Sequence, residues 1–180
     1  LWCPSLPTQL TRGDLDQLHS SEGGIHIGLI DGIENGAHRC LMWQHGNIMM
    51  SGSGSSTSKL ALLARSCATI LSDSLGFPLC GVSIDSGAPH SSVTSADYLI
   101  RDIVDFGVLC EDICHRAPCV IWLEDIEGTL HMLEECLGVL RAHDLWGQFT
   151  RSCDGVNIVL IASDVSGRFT PRTLFGSYEH

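Results

Sequence analysis

From Asn47 onward, short continuous apolar runs alternate with longer stretches whose apolar residues return every three or four positions. The runs predict strands at 47–50, 79–85, 119–123 and 156–162. The longer stretches predict helices at 59–72, at 95–114 and from Thr129 to about Leu140. We expect Ser95 and Thr129 to cap the second and third of these helices.

The second predicted helix has a well-defined apolar stripe. Its members are Ala96, Leu99, Ile100, Ile103, Val104 and Val108. Helical spacing puts these residues on one side, so we expect that side to be buried.

The order β-α-β-α-β-α-β predicts an α/β fold, with right-handed crossovers and a mostly parallel sheet that has helices on both faces. This core spans 47–180. The segment 1–46 is patterned more weakly, and we expect an N-terminal linker or edge segment. Within it, 24–30 and 39–43 form either short strands or linker.

The composition narrows the classes of partner. The net charge is −11 at pH 7, and an acidic surface disfavours phosphate backbones and anionic lipids. No apolar run approaches the roughly 20 residues that a bilayer-spanning helix needs. We therefore expect protein partners, with no nucleic acid and no membrane, and oligomerisation is left open.

Nine cysteines are spread along the chain, which is 44% hydrophobic and can bury a core without disulfides. Four of them fall within apolar-periodic segments, where cysteine acts as a small hydrophobe: Cys67, Cys80, Cys119 and Cys136. The N-terminus also lacks the basic and apolar regions of a signal peptide. These features predict a reduced protein in the cytoplasm or nucleus.

A metal site is the competing interpretation for one cysteine cluster. Cys110, Cys114, His115 and Cys119 form the pattern C-x3-C-H-x3-C, and zinc binds cysteine and histidine at short spacing. Cys110 and Cys114 lie on a predicted helix rather than in a turn. We therefore favour packed free thiols and predict no metal site here.

A Ser/Gly loop follows the first predicted strand and leads into a helix with Lys59 near its start. Phosphate binding needs small residues, whose N–H groups wrap the phosphates, and the partial positive charge of a helix N-terminus. It also needs a lysine for the β- and γ-phosphates and a hydroxyl for magnesium. The candidate nucleotide-binding residues of this segment are Gly52, Gly54, Ser56, Thr57, Ser58 and Lys59.

The loop departs from the phosphate-binding pattern G-x-x-x-x-G-K-[ST] at three positions. Serine replaces both glycines, at Ser53 and Ser58, and Leu60 replaces the hydroxyl residue that holds magnesium. A leucine side chain cannot coordinate a metal. A flexible Ser/Gly turn before a helix is the competing interpretation.

Polar residues also follow two other predicted strands. Glu124 and Asp125 end the strand 119–123, and Ser163 follows the last strand. Ligands of open α/β sheets bind beyond the carboxyl ends of the strands. We expect Lys59, Glu124 and Ser163 to lie at that edge, although polar residues are common at strand ends.

Through these residues the chain resembles the AAA+ branch of P-loop ATPases. The matching stretches are IMMSGSGSSTSKLALLA, CVIWLEDIE and VNIVLIASD, in the order Walker A, Walker B and sensor 1. Their spacing is similar to that of the AAA-type modules of neuron navigator and cortactin-binding proteins. The resemblance implies that Lys59 contacts phosphate and that Glu124 and Asp125 are the catalytic Walker B residues. It also implies that Ser163 takes the sensor position, and that ATP and Mg²⁺ are the cofactors, weakly bound.

The departures from the family pattern decide between three functions. Leu60 and the two lost glycines favour an AAA+-like core without a helical lid, with weak or no ATP hydrolysis. Such a domain serves as a scaffold or regulatory protein-interaction module. The alternatives are an active ATPase with a divergent Walker A loop and an α/β interaction domain that binds no nucleotide.

Overall fold

The computed structural model describes residues 11, 13, 24–34, 37–51, 57–84, 96–154 and 158–164. They fall into two compact units, one within residues 1–45 and the other within residues 46–180. In the first unit, β1 (Ile25–Glu34) and β2 (Ala37–Trp43) pair as antiparallel strands. Strands therefore occupy the two segments for which the sequence allowed either short strands or linker.

The second unit contains a five-stranded sheet in which every pair is parallel. Its strands are β3 (Ile48–Ser51), β4 (Leu79–Ile84), β5 (Tyr98–Ile100), β6 (Cys119–Leu123) and β7 (Ile158–Asp164). They lie in the order β3-β7-β6-β4-β5. The helices are α1 (Thr57–Leu75), α2 (Ile103–Arg116), α3 (Ile126–Leu137) and α4 (Val139–Asp154). The predicted α/β fold with a parallel sheet is confirmed.

Helices flank the sheet because its central strands are apolar on both sides. Alternate side chains of a strand point to opposite faces. Ile121 and Leu123 of β6 belong to the main core, which α2, α3 and α4 complete. Trp122 points the other way, where the guanidinium of Arg65 from α1 lies 5.7 Å from the ring centroid. Every residue of β6 and β7 is buried, as the continuous apolar runs predicted.

The predicted start of the second helix is wrong. Residues 98–100 form β5, which pairs with β4, and the helix begins at Ile103. Its N-cap is Asp102, whose Oδ1 accepts the N–H groups of Val104 and Asp105 at 2.9 and 3.0 Å. A carboxylate that bonds two free N–H groups stabilises a helix start more directly than the upstream apolar spacing can. Ser95, the predicted cap, lies outside the described residues.

The predicted apolar stripe of this helix is also wrong. Val104 and Val108 are 68% and 48% exposed. The buried side chains are instead Phe106, Leu109 and Ile113, which pack in the main core. The aromatic ring at Phe106 buries more apolar surface than a valine would, so the helix turns that side inward.

The third predicted helix consists of two helices. Asp125, not Thr129, caps α3, and Gly138 ends it with a φ of 79°. Positive φ suits glycine and is unfavourable for other residues, so the helix stops there and α4 starts anew. Leu140, expected on the buried side, is 83% exposed on α4.

Three of the four cysteines assigned to apolar segments are buried, namely Cys67, Cys80 and Cys119, whereas Cys136 is exposed on α3. Burial raises the pKa of the Cys67 thiol from 9.0 to about 11. The unfolded chain therefore loses this proton near pH 9, while the folded chain keeps it until about pH 11. Between those values the unfolded state is favoured increasingly as the pH rises.

We expect Cys67→Ala to reduce the alkaline loss of stability. In the wild type, this thiol should lower the free energy of unfolding by up to about 1.4 kcal/mol for each pH unit between about pH 9 and pH 11. Urea unfolding of both proteins at pH 8, 9, 10 and 11, in the presence of a reductant, measures the difference. Identical pH slopes for the two proteins would contradict the assignment.

Candidate functional site

The carboxyl edge of the parallel sheet brings three polar residues into one row. The register pairs Val82 with Leu123 and Leu123 with Ala162. One residue further along each chain segment lie Ser83 on β4, Glu124 directly after β6, and Ser163 on β7. The predicted proximity of Glu124 and Ser163 is therefore present, and Ser83 joins them.

Glu124 is held from both sides by these serines. The Ser83 hydroxyl donates to Glu124 Oε2 at 2.6 Å. On the other side, the Ser163 hydroxyl donates to the backbone carbonyl of Glu124. The Glu124 amide also donates to the carbonyl of Val82 at 3.1 Å. Both serines are buried, so water does not compete for their hydroxyl groups. These hydrogen bonds fix the end of β6 to β4 and β7.

Asp125 serves the helix that follows. Its Oδ1 accepts the N–H of Gly128 at 3.0 Å, and its backbone carbonyl accepts the hydroxyl of Thr129 at 2.7 Å. Gly128 is needed for this approach because a Cβ there would stand 2.6 Å from Asp125 Oδ2. The carboxylate therefore stabilises the start of α3, and its catalytic role as a Walker B residue stays a prediction.

The start of α1 belongs to the same edge. Only residues 52–56 separate the end of β3 from Thr57, the first residue of α1. This helix packs on β6 and β7, and the pleat points Glu124 and Ser163 to the same face as Trp122, which α1 covers. The free N–H groups of α1 therefore point toward the edge where the serine–glutamate row lies.

The structure describes only some of the predicted nucleotide-binding residues. Gly52, Gly54 and Ser56 lie outside the described residues. Thr57, Ser58 and Lys59 form the first turn of α1 through their backbone. The next residue, Leu60, is 7% exposed and packs into the protein. The position that holds a magnesium-binding hydroxyl in the family pattern is thus a core position here.

Ser83 is the site residue that the sequence analysis missed. It is a polar residue within the apolar strand β4, and it is almost completely buried. A buried hydroxyl requires a hydrogen-bond partner, which is a signal that the sequence does carry. The identity of the partner depends on the order of the strands, which the sequence does not show.

The predicted cysteine–histidine cluster is divided between two elements. Cys110, Cys114 and His115 lie on α2, and Cys119 begins β6. Across the residues that the structure describes, no three histidine, cysteine or acidic side chains are arranged to hold a metal ion.

Comparison of the chain with protein-family models gives no match, and comparison with curated proteins gives none either. Every helix in the described ranges is too short or too polar to cross a bilayer. The function is therefore inferred from the residues at the carboxyl edge.

Proposed function

We propose that residues 47–180 form an AAA+-like P-loop domain that binds nucleotide phosphate weakly and hydrolyses ATP slowly or not at all. In this proposal the domain acts as a scaffold or regulatory module for protein partners. The observation that carries it is the common position of the α1 start, the Glu124 carboxylate and the Ser163 hydroxyl at one edge of a parallel sheet. That edge is where α/β sheets of this kind bind ligands.

The charge of the α1 start supports phosphate as the ligand. Lys59 is the only lysine among the 180 residues, in a chain of net charge −11. It occupies the first turn of α1, which contains no acidic residue. The partial positive charge of a helix N-terminus adds to the charge of a lysine there, and both attract phosphate.

Two features support weak hydrolysis. Leu60 is a core residue and supplies no oxygen to magnesium. The carboxylate of Asp125 caps α3. Glu124 accepts a hydrogen bond from Ser83 at Oε2, and its other lone pairs remain for a cation or a water molecule. Bound Mg²⁺ neutralises phosphate charge during phosphoryl transfer, and Glu124 is the residue of this row that fits a cation.

Exposed apolar side chains and free thiols support the proposed protein partners and the proposed reducing compartment. Apolar side chains are exposed on the helices, among them Leu62 and Leu63 on α1 and Val104 on α2. Such residues supply contact area to a protein partner. The seven cysteines whose side chains are described are all free thiols, which supports a reducing compartment such as the cytoplasm or nucleus.

The test is titration of a fluorescent ATP analogue, with magnesium, into the wild type, Lys59→Ala and Arg116→Ala. Arg116 ends α2 at the opposite edge of the sheet. The Arg116→Ala variant therefore removes one positive charge, as Lys59→Ala does, but at a position away from the site. We expect Lys59→Ala to bind at least about tenfold more weakly than wild type, which corresponds to about 1.4 kcal/mol. We expect Arg116→Ala to bind like wild type.

The single lysine allows a second readout. An acyl-phosphate derivative of ATP transfers its acyl group to an amine beside the bound phosphates, and Lys59 is the only side-chain amine available. Mass spectrometry should find the acyl group on the Lys59 peptide, with labelling suppressed by excess ATP. Absence of binding in all proteins would contradict the nucleotide part of the proposal. Sustained hydrolysis that Glu124→Gln abolishes would favour an active ATPase instead.

A further inference from the structure

The outward face of α2 carries two exposed valines, Val104 and Val108, one turn apart. Helical spacing puts them on the side opposite to Phe106, Leu109 and Ile113, the side chains that fill the core. Valine has a lower helix propensity than alanine or leucine, so it stabilises a helix mainly when it is buried. Two exposed valines side by side on one helix therefore favour a surface that packs against another molecule.

A charge of opposite sign stands at each end of the valine pair. Arg101 precedes the helix, and its Nε donates to Asp105 Oδ2 at 3.0 Å, which holds the arginine side chain along the first turn. That side chain is still 64% exposed. Glu111 is exposed on the turn after Val108. We name Arg101, Val104, Val108 and Glu111 the outer stripe, and their separations of three, four and three residues are typical of a helix–helix seam.

The order of the charges in the outer stripe fits a second copy of the same chain. In a dimer with two-fold symmetry, each contact between two different residues occurs twice, once in each direction. When two outer stripes run antiparallel about an axis midway between the valines, Val104 of each copy lies opposite Val108 of the other. Arg101 of each copy then lies opposite Glu111 of the other. A parallel arrangement would instead place arginine against arginine and glutamate against glutamate, which is destabilising.

We propose that α2 is a dimerisation surface, through which two copies of this chain associate by antiparallel packing of their outer stripes. The Arg101 guanidinium has five N–H donors, so its bond to Asp105 leaves donors for the carboxylate of a second copy. Antiparallel helices also bring the positive end of each helix dipole beside the negative end of the other. The proposal does not depend on nucleotide binding at the carboxyl edge of the sheet.

The length of α2 sets the strength of the expected dimer. The helix has 14 residues, and a contact along so short a helix belongs to the weak, transient interfaces that bury less than about 1,200 Å². We therefore expect an equilibrium between monomer and dimer that depends on protein concentration, rather than a permanent dimer.

The first measurement is sedimentation equilibrium of the intact, reduced protein from about 5 µM to about 1 mM, at low salt because salt screens exposed charges. We expect the mass to rise with concentration from the 19.5 kDa of the monomer toward twice that value. Val104→Asp should stay monomeric over the same range. An aspartate in the first turn of a helix is favourable, so this variant should keep its fold.

Charge reversal tests the antiparallel pairing itself. Arg101→Glu and Glu111→Arg each create two like-charge contacts across the dimer, so each should weaken dimerisation at least about tenfold. Mixed in equal amounts, the two variants should dimerise with each other, because both contacts then join opposite charges. The matched control is Glu135→Arg, an exposed charge reversal on α3, which should dimerise like the wild type.

A wild type that keeps the monomer mass up to about 1 mM would overturn the proposal and assign the two valines to a different protein. Dimers that persist in Val104→Asp would show that the copies meet through another surface. If the charge variants dimerise alone as well as they do in the mixture, the antiparallel pairing is wrong. Recovery of the dimer in the mixture also shows that both charge variants are folded.

Discussion

Replacing Trp146 with alanine should lower the free energy of unfolding by about 3–5 kcal/mol. Trp146 is 2% exposed, and its ring centroid lies 6.5 Å from that of Phe106 and 5.6 Å from that of Phe149. Phe106 and Phe149 are themselves in edge contact, with centroids 5.4 Å apart. The substitution removes the largest member of a three-ring cluster that joins α2 to α4, and neighbouring side chains refill such a space only in part.

Equilibrium unfolding in urea measures this loss, with Trp146→Phe as the matched variant. Phenylalanine keeps one aromatic ring in the cluster, so its loss should be less than half of that caused by alanine. A loss below about 1 kcal/mol for Trp146→Ala would mean that α4 does not pack against α2 as described. Binding of the ATP analogue to the folded fraction should not change, because Trp146 lies on the other face of the sheet.

Gly128→Ala and Gly107→Ala should change stability in opposite directions. Both glycines lie inside helices, where alanine is normally favoured by about 0.5–1 kcal/mol. A Cβ at Gly107 meets nothing within 4 Å, so that variant should be stabilised. A Cβ at Gly128 would lie 2.6 Å from Oδ2 and 3.1 Å from Cγ of Asp125. Asp125 must then turn away, and losing an N-cap costs about 0.5–2 kcal/mol.

The two variants should therefore differ by the cost of the lost N-cap, about 0.5–2 kcal/mol in the free energy of unfolding, measured by urea denaturation under the same conditions. Equal stabilities would show that the Asp125 carboxylate leaves the helix start at little cost. That result would favour a catalytic Walker B role for Asp125, and so the active ATPase over the weakened one.

The sequence predicted correctly those elements in which burial on both faces makes every residue apolar. β6 and β7 lie between two helical layers, so both of their faces are apolar and the runs are unmistakable. β5 has three residues, with Leu99 exposed, and its apolar positions merge with the spacing of the following helix. The break at Gly138 was missed for a similar reason, because Leu137 and Leu140 continue the helical spacing across it.

At the candidate site, the sequence predicted position better than contact. Glu124 and Ser163 were predicted at one edge because parallel strands present their carboxyl ends there, and they touch because β7 lies beside β6. The bond from Ser83 to Glu124 requires β4 to lie beside β6, and no local pattern specifies strand order. The sequence analysis interpreted Asp125 as a Walker B acid. In the structure its carboxylate accepts the N–H of Gly128, three residues later, and so caps α3.

The ties at Glu124 have a consequence for amide hydrogen exchange. β6 is hydrogen-bonded on both edges, and Glu124 joins its end to β4 through Ser83 and to β7 through Ser163. The amides of β6 pair with β4 or β7 and reach solvent when β6 separates from those strands. We therefore expect β4, β6 and β7 to open as one cooperative unit and to hold the slowest-exchanging amide protons of the described sheet, and we expect β5, three residues long at the margin, to open by itself.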